Sequence, residues 1–172
     1  MTKHDGLISA DSKPGEGAVF TLCFPVANAA DLPPEVEPAA LPTGSGKVLI
    51  MDDEPSVSRV LKRMLERMGY QAEVAEDGQA ALDAYKAALK TGKPYDAVIM
   101  DLTIPGGMGG KEAIVELSAL DPKAKAIVSS GYSNDPVMSE YAASGFCGAL
   151  SKPYKLEEVS EALRRAIGSK RS

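Results

Sequence analysis

The sequence predicts a doubly wound α/β fold, a five-stranded parallel sheet with five helices, over residues 47–168. Three observations predict it. Short apolar runs alternate strictly with stretches of helical spacing throughout this zone. The strongest runs are apolar on successive residues, as strands buried beneath helices on both faces must be. Four of the five runs then end on an acid, a hydroxyl or a lysine, at the strand ends where such folds place their ligands.

Upstream, residues 1–25 hold Gly15, Gly17 and the alternating run 18–24, which reads as a strand after a tight turn. Residues 26–46 carry Pro33, Pro34, Pro38 and Pro42 without apolar periodicity, so they read as a linker. The regular zone opens with a buried strand at 48–51. From Pro55, Val57, Val60, Leu61, Met64, Leu65 and Met68 mark one helix face, closed by Gly69. A weak strand at 71–75 precedes an Ala-rich helix at 78–90, and a second strongly apolar strand spans 95–100. A glycine-rich loop at 105–110 leads into a helix at 111–120. The strand at 126–128 ends in Ser129 and Ser130. A poorly patterned helix at 137–143, a short strand at 147–150 and a helix at 156–167 complete the alternation. Leu156, Val159, Leu163 and Ile167 are expected to face inward in the last helix.

Composition excludes several functions. With 172 residues, 44% hydrophobic and 25% charged, the chain can bury a core of one domain plus an appendage. A net charge of -5 and scattered basic residues argue against a nucleic-acid surface; Arg164, Arg165, Lys170 and Arg171 suit a solvated helix end. Cys23 and Cys147 lack neighbouring Cys or His at metal-ligand spacing, which excludes a zinc or disulfide framework and fits a reducing, cytoplasmic compartment. The start of the chain leads into no apolar signal core. The apolar stretch at 17–30 is too short to span a membrane and contains Pro25.

The strand ends carry the chemistry. The first ends in Asp52-Asp53-Glu54, the third in Asp101, the fourth in Ser129-Ser130 and the fifth in Ser151-Lys152-Pro153. A parallel sheet brings all four to one edge, where three carboxylates repel one another unless a cation relieves them. Oxygen-only ligands suit Mg²⁺, which keeps waters and shares its shell with phosphate oxygens. Asp101 can then act as a carboxylate nucleophile in phosphoryl transfer, a reaction that needs positioning and charge stabilisation more than covalent help. The metal, Lys152 and Ser130 would each hold one phosphoryl oxygen. Each residue has a plainer reading: Asp52 and Asp53 as helix caps before Pro55, Lys152 as a solvated lysine. An acid after an apolar strand, as Asp101 is, needs partners or exposure. The conjunction of four strand ends favours the chemical reading.

Taken in order, VLIMDDE at 48–54, VIMDLTIP at 98–105, IVSSG at 127–131 and Lys152-Pro153 form a highly specific signature. From about residue 47 to 168 the chain resembles the response-regulator receiver domains of two-component signalling. The resemblance implies a flavodoxin-like strand order, 2-1-3-4-5. It also implies Asp101 as phosphoacceptor, Asp52, Asp53 and Asp101 as carboxylate ligands of Mg²⁺, and a metal-binding backbone carbonyl from Thr103. Ser130 aligns with the family's hydroxyl switch residue and Lys152 with its lysine, followed by a cis bond to Pro153. The function implied is a phosphorelay: Mg²⁺-dependent self-phosphorylation from a phosphohistidine on a histidine kinase or histidine phosphotransfer protein, changing partner interactions. Transmission is expected by protein contact or onward phosphotransfer, at the face around the fourth helix and fifth strand, with no output domain after Gly168.

Two features depart from the pattern. Ala149 replaces the aromatic often found three residues before the lysine, so the conformational signal is expected from loop movement around 131–136. The loop at 106–110 is long and glycine-rich and is expected to be mobile until a partner or phosphoryl group orders it. Thr103 and Tyr132 occupy positions that tune hydrolysis of the acyl phosphate, and bulky Tyr132 is expected to screen it from water.

The first zone has its own resemblance. HDGLI at 4–8, SKPGEGAVF at 12–20 and Phe24-Pro25 are similar to the closing strands of a histidine-kinase ATP-binding domain. The implied organisation is the C-terminal piece of a hybrid sensor histidine kinase: a remnant of that domain at 1–25, a Pro/Ala-rich linker at 26–46, the receiver at 47–168 and a tail at 169–172. The kinase core is lacking, and His4, the one histidine, is no phosphohistidine donor. The remnant is expected to be poorly ordered or docked on a neighbour. Two other classes stand against the leading reading. One is a receiver-like protein-binding module that is not phosphorylated. The other is a phosphohydrolase with an aspartyl nucleophile, which wants an acid where Thr103 stands.

Overall fold

A computed structural model describes residues 5–26, 44–131 and 135–168. His4, Tyr132, residues 27–43 of the expected linker and the tail at 169–172 lie outside them. The chain divides into two compact units, residues 1–40 and 41–172. In the first, β1 (Leu7–Lys13) and β2 (Gly17–Cys23) form an antiparallel hairpin, with Leu7 opposite Cys23 and Lys13 opposite Gly17. Gly15 and Gly17 turn the chain at φ 81° and 86°, where a side chain would be strained. Strand alternation places Ile8, Ala10, Phe20 and Leu22 on one face of the hairpin.

The second unit is the expected doubly wound sheet. Its strands are β3 (Lys47–Met51), β4 (Gln71–Ala75), β5 (Ala97–Asp101), β6 (Ala126–Ser130) and β7 (Gly148–Ser151). All pair in parallel, in the order β4-β3-β5-β6-β7. Between them run α1 (Pro55–Arg67), α2 (Gly78–Lys90), α3 (Gly110–Leu120) and α4 (Pro136–Ser139), with α5 (Leu156–Ile167) last. Successive strand residues bury against opposite layers. Val48, Ile50, Ala97, Ile99 and Ile127 pack with Leu61 and Leu65 of α1 and Val159 and Leu163 of α5. Leu49, Met51, Val98, Met100 and Val128 pack with Leu82 and Tyr85 of α2 and Ile114 and Leu117 of α3. Two covered faces are why these strands read as unbroken apolar runs. In α5, Val159 and Leu163 are buried, while Leu156 and Ile167 at its ends are only partly so.

One expectation needs correction. The helix expected at 137–143 is a single turn, Pro136–Ser139. Asp135 caps it by accepting a hydrogen bond from the Val137 N–H (2.9 Å), and Pro136 suits its first position. Beyond Glu140 the bonds shorten to turns, Ala143 to Glu140 and Ser144 to Tyr141, ending at Gly145 with φ 89°. No residue of α4 is fully buried, and Val137 and Met138 pack only partly against the α2–α3 core.

The glycine-rich loop makes backbone contacts at its Met108–Gly110 end. The Met108 carbonyl accepts the Gly78 N–H (2.8 Å), the Gly110 N–H donates to the Leu102 carbonyl (3.2 Å), and the Met108 side chain covers Gly78. Glycine serves close approach here: a Cβ on Gly110 would lie 2.8 Å from the Asp101 carbonyl oxygen. That oxygen is backbone and cannot swing aside. Gly110→Ala should therefore destabilise the fold by about 1–3 kcal/mol, a clash larger than the gain of under about 1 kcal/mol in helix propensity. Urea unfolding checks this; equal or greater stability would refute it.

Candidate functional site

The carboxyl ends of the parallel strands meet at one edge. Strand alternation puts Asp101 on the α1–α5 side, with Ala97 and Ile99, and its register partner Ser129 on the same side, with Ile127. Asp52 follows Met51 directly and continues the ladder, its N–H donating to the Ala75 carbonyl (3.1 Å). Lys152 follows β7, its N–H donating to the Ser130 carbonyl (2.9 Å), and the Lys152–Pro153 bond is cis.

These backbones bring the expected charges together. Lys152 Nζ lies 2.7 Å from both Asp52 Oδ2 and Asp101 Oδ2. Asp52 is 2% exposed and Asp101 9%, so the partly buried lysine is a cation shared by two nearly buried carboxylates. Burial alone would lower the Lys152 pKa, but its contacts with Asp101 and Asp52 outweigh this and raise it, keeping the ammonium charged. The capping reading of Asp52 and Asp53 does not hold: Glu54 is the N-cap of α1 and no side chain caps it, while Asp52 Oδ1 accepts the Glu54 N–H at 3.0 Å in a local turn ahead of the helix. Asp52 Oδ2 has no aligned hydrogen bond; it meets Lys152 as an ion pair off the bonding direction.

Three clustered carboxylates with one ammonium among them carry excess negative charge that a further cation would offset. Asp52, Asp53 and Asp101 each offer a carboxylate oxygen within 4.8 Å of the others, and Asp53 faces solvent. Three hard oxygens with an open side fit a divalent ion that retains waters, as Mg²⁺ does. Thr103 is exposed, and its N–H points at Asp101 Oδ1 at 3.5 Å, long for a hydrogen bond. Ser130 is buried and has the opposite strand parity, that of Ala126 and Val128, so it reaches the edge from the α2–α3 side.

Sequence reasoning missed one contact. The Tyr154 hydroxyl lies 2.7 Å from Ser129 Oγ. Burial, aided by the nearby carboxylates, pushes the Tyr154 pKa up to about 12, so the phenol stays protonated. A hydroxyl-bearing aromatic two residues after Lys152 was the available signal. Ala149 is half-buried against the α2–α3 core, beside a cavity of about 440 Å³ lined by Tyr141, Cys147, Gly148, Glu157 and Glu161. None of the three clustered aspartates lines that cavity, so it is separate from the charged cluster. No helix among the described residues is long and apolar enough to cross a membrane.

Known proteins repeat this pattern. The family model described as the response regulator receiver domain matches residues 48–164. Chemotaxis protein CheY of Thermotoga maritima is 36% identical over 120 residues, which cover 69% of this chain and 95% of that protein. Sensor kinase CckA of Brucella abortus is 30% identical over 171 residues. That alignment takes in 94% of this chain but only 18% of the kinase, so the chain spans under a fifth of that relative. Among solved structures, a sensor histidine kinase receiver domain from Pseudomonas aeruginosa PAO1 has a magnesium ion coordinated in its active site cleft. It superposes with a TM-score of 0.61 at 26% identity, covering 73% of this chain and all of that one.

Proposed function

Because this chain belongs to the response regulator receiver domain family, a family of phosphoacceptors in two-component signalling, we propose that Asp101 is the residue it phosphorylates. One observation carries the choice: at the carboxyl end of β5, Asp101 shares a single ammonium with Asp52 at 2.7 Å and lies within a three-carboxylate cluster. One Asp101 oxygen attacks the phosphorus of a phosphohistidine on a histidine kinase or histidine phosphotransfer protein. The P–N bond breaks, its electron pair leaves on the imidazole nitrogen, and that nitrogen takes a proton from solvent. An ionised carboxylate needs no general base. Asp52, Asp53 and Asp101, with the Thr103 backbone carbonyl, would hold Mg²⁺, which when bound neutralises charge on phosphoryl oxygens. Lys152 would turn from the carboxylates to one phosphoryl oxygen, and the Ser130 hydroxyl would take another. With Ala149 at the aromatic position, the expected loop movement around 131–136 falls in part on residues 132–134, which lie outside the described residues.

The stretch 1–25, which holds the hairpin, is read as the remnant of a hybrid kinase's ATP-binding domain, with 26–46 as the linker. Ile8, Phe20 and Leu22 on one hairpin face are each more than half exposed, as strands cut from a larger sheet would be. The alignment with the sensor kinase supports this because it runs through hairpin and receiver alike. Two free cysteines fit a cytoplasmic setting. Intact mass after incubation with acetyl phosphate tests the main reading. One added phosphoryl group with Mg²⁺ and none without is expected; no gain under either condition would refute it.

A further inference from the structure

We infer that Tyr154 is a positioning residue for phosphoryl transfer, aiming Lys152 at the carboxylates through its hydroxyl contact with Ser129. The inference rests on Asp101 as phosphoacceptor. Ser129 is fully buried, and the partly buried Tyr154 packs against the α1–α5 core, so their 2.7 Å contact is partly shielded from water. Tyr154 ends the Lys152-Pro153-Tyr154 turn, which is attached to β6 at two points: the Lys152 N–H to the Ser130 carbonyl (2.9 Å), and the Tyr154 hydroxyl to Ser129. The Ser129 carbonyl in turn accepts the Leu102 N–H (2.9 Å), one residue from Asp101. One strand end thus references both the lysine and the nucleophile. A lysine ammonium rides on a flexible four-carbon stem, so its aim depends on how firmly its backbone is held.

This arrangement has a signature that general loosening lacks. Lys152 is the resident cation between Asp52 and Asp101, where a metal would compete with it. Freeing its turn should ease metal binding, because the competitor is less well placed. It should also slow transfer, because the ammonium is no longer pre-aimed at the phosphoryl oxygen. Loss of packing would weaken both.

The test uses the full 172-residue chain with Mg²⁺ binding by calorimetry, phosphorylation by acetyl phosphate at saturating Mg²⁺, and thermal unfolding. Tyr154→Phe keeps the ring and removes the hydroxyl. It should slow phosphorylation about tenfold, equivalent to about 1.4 kcal/mol in the barrier, while binding Mg²⁺ severalfold more tightly. Ser129→Ala should do the same, the double variant should be no slower than either single one, and Ser129→Thr should retain the wild-type rate. Wild-type rate and affinity in Tyr154→Phe, or rate, affinity and Tm falling together, would overturn the inference. A wild type that gains no phosphoryl group overturns instead the reading on which it rests.

Discussion

Asp101→Asn is expected to gain no phosphoryl group while the wild type is fully modified, a loss of more than about 10⁴-fold in rate. The attacking group must bring a negatively charged lone pair, and the amide oxygen of Asn is neutral with its electrons shared into the C–N bond. Asn has nearly the same size, so a site only 9% exposed keeps its packing. Its oxygen can still accept from Lys152 Nζ, which also keeps Asp52 at 2.7 Å. Stability should therefore change by less than about 1 kcal/mol, which separates lost chemistry from lost fold. Intact mass over time, beside a urea melt, reads both. A phosphoryl group arriving at the wild-type rate would move the acceptor elsewhere, with Asp52 and Asp53 the next carboxylates to map.

Lys152→Met should affect stability and chemistry in different ways. Without metal, Met leaves Asp52 and Asp101 facing each other with no cation, their side chains 1% and 11% exposed. Removing one member of such a buried cluster costs about 3 kcal/mol, because the remaining charges lose their partner and keep their desolvation. Magnesium stabilises both proteins by binding only the folded state, but the variant lacks the competing ammonium and should bind it more tightly, which narrows the gap by about 1.4 kcal/mol per tenfold gain in affinity. The variant's deficit against wild type is thus larger in chelator than in Mg²⁺. Even saturated with Mg²⁺, it should phosphorylate about 10²-fold slower, the usual cost of one lost charge-stabilising group. Thermal unfolding with and without Mg²⁺ decides the first part, and an unchanged Tm in chelator would refute it.

Much of this could be read locally. Asp52, Asp53, Asp101 and Lys152 were legible as a group because each ends an apolar run, and parallel strands put their carboxyl ends on one edge. Ser129 and Ser130 were harder, since both end the same strand. Parity, set by which residues of β6 meet α1 and α5, puts Ser129 on the carboxylates' side. Tyr154 stayed hidden because its partner lies 25 residues away, a distance no periodicity reports. The reach of α4 was misjudged for a related reason. Its residues have modest helical pattern, and its length depends on packing against the neighbouring layer, where none of them is fully buried.

What the sequence by itself determined was the architecture and the convergence of charges. Burial on two faces writes itself into consecutive apolar residues, and parallel connectivity leaves the strand ends one place to meet. Tertiary structure alone decided the electrostatics and the aim of the site. It made Lys152 bridge two carboxylates, left Asp52 Oδ2 without an aligned donor, and tied the lysine's turn to Ser129. Those outcomes depend on strand register and on the path of a turn to within about an ångström, and interactions between charges and hydroxyls change steeply over that distance.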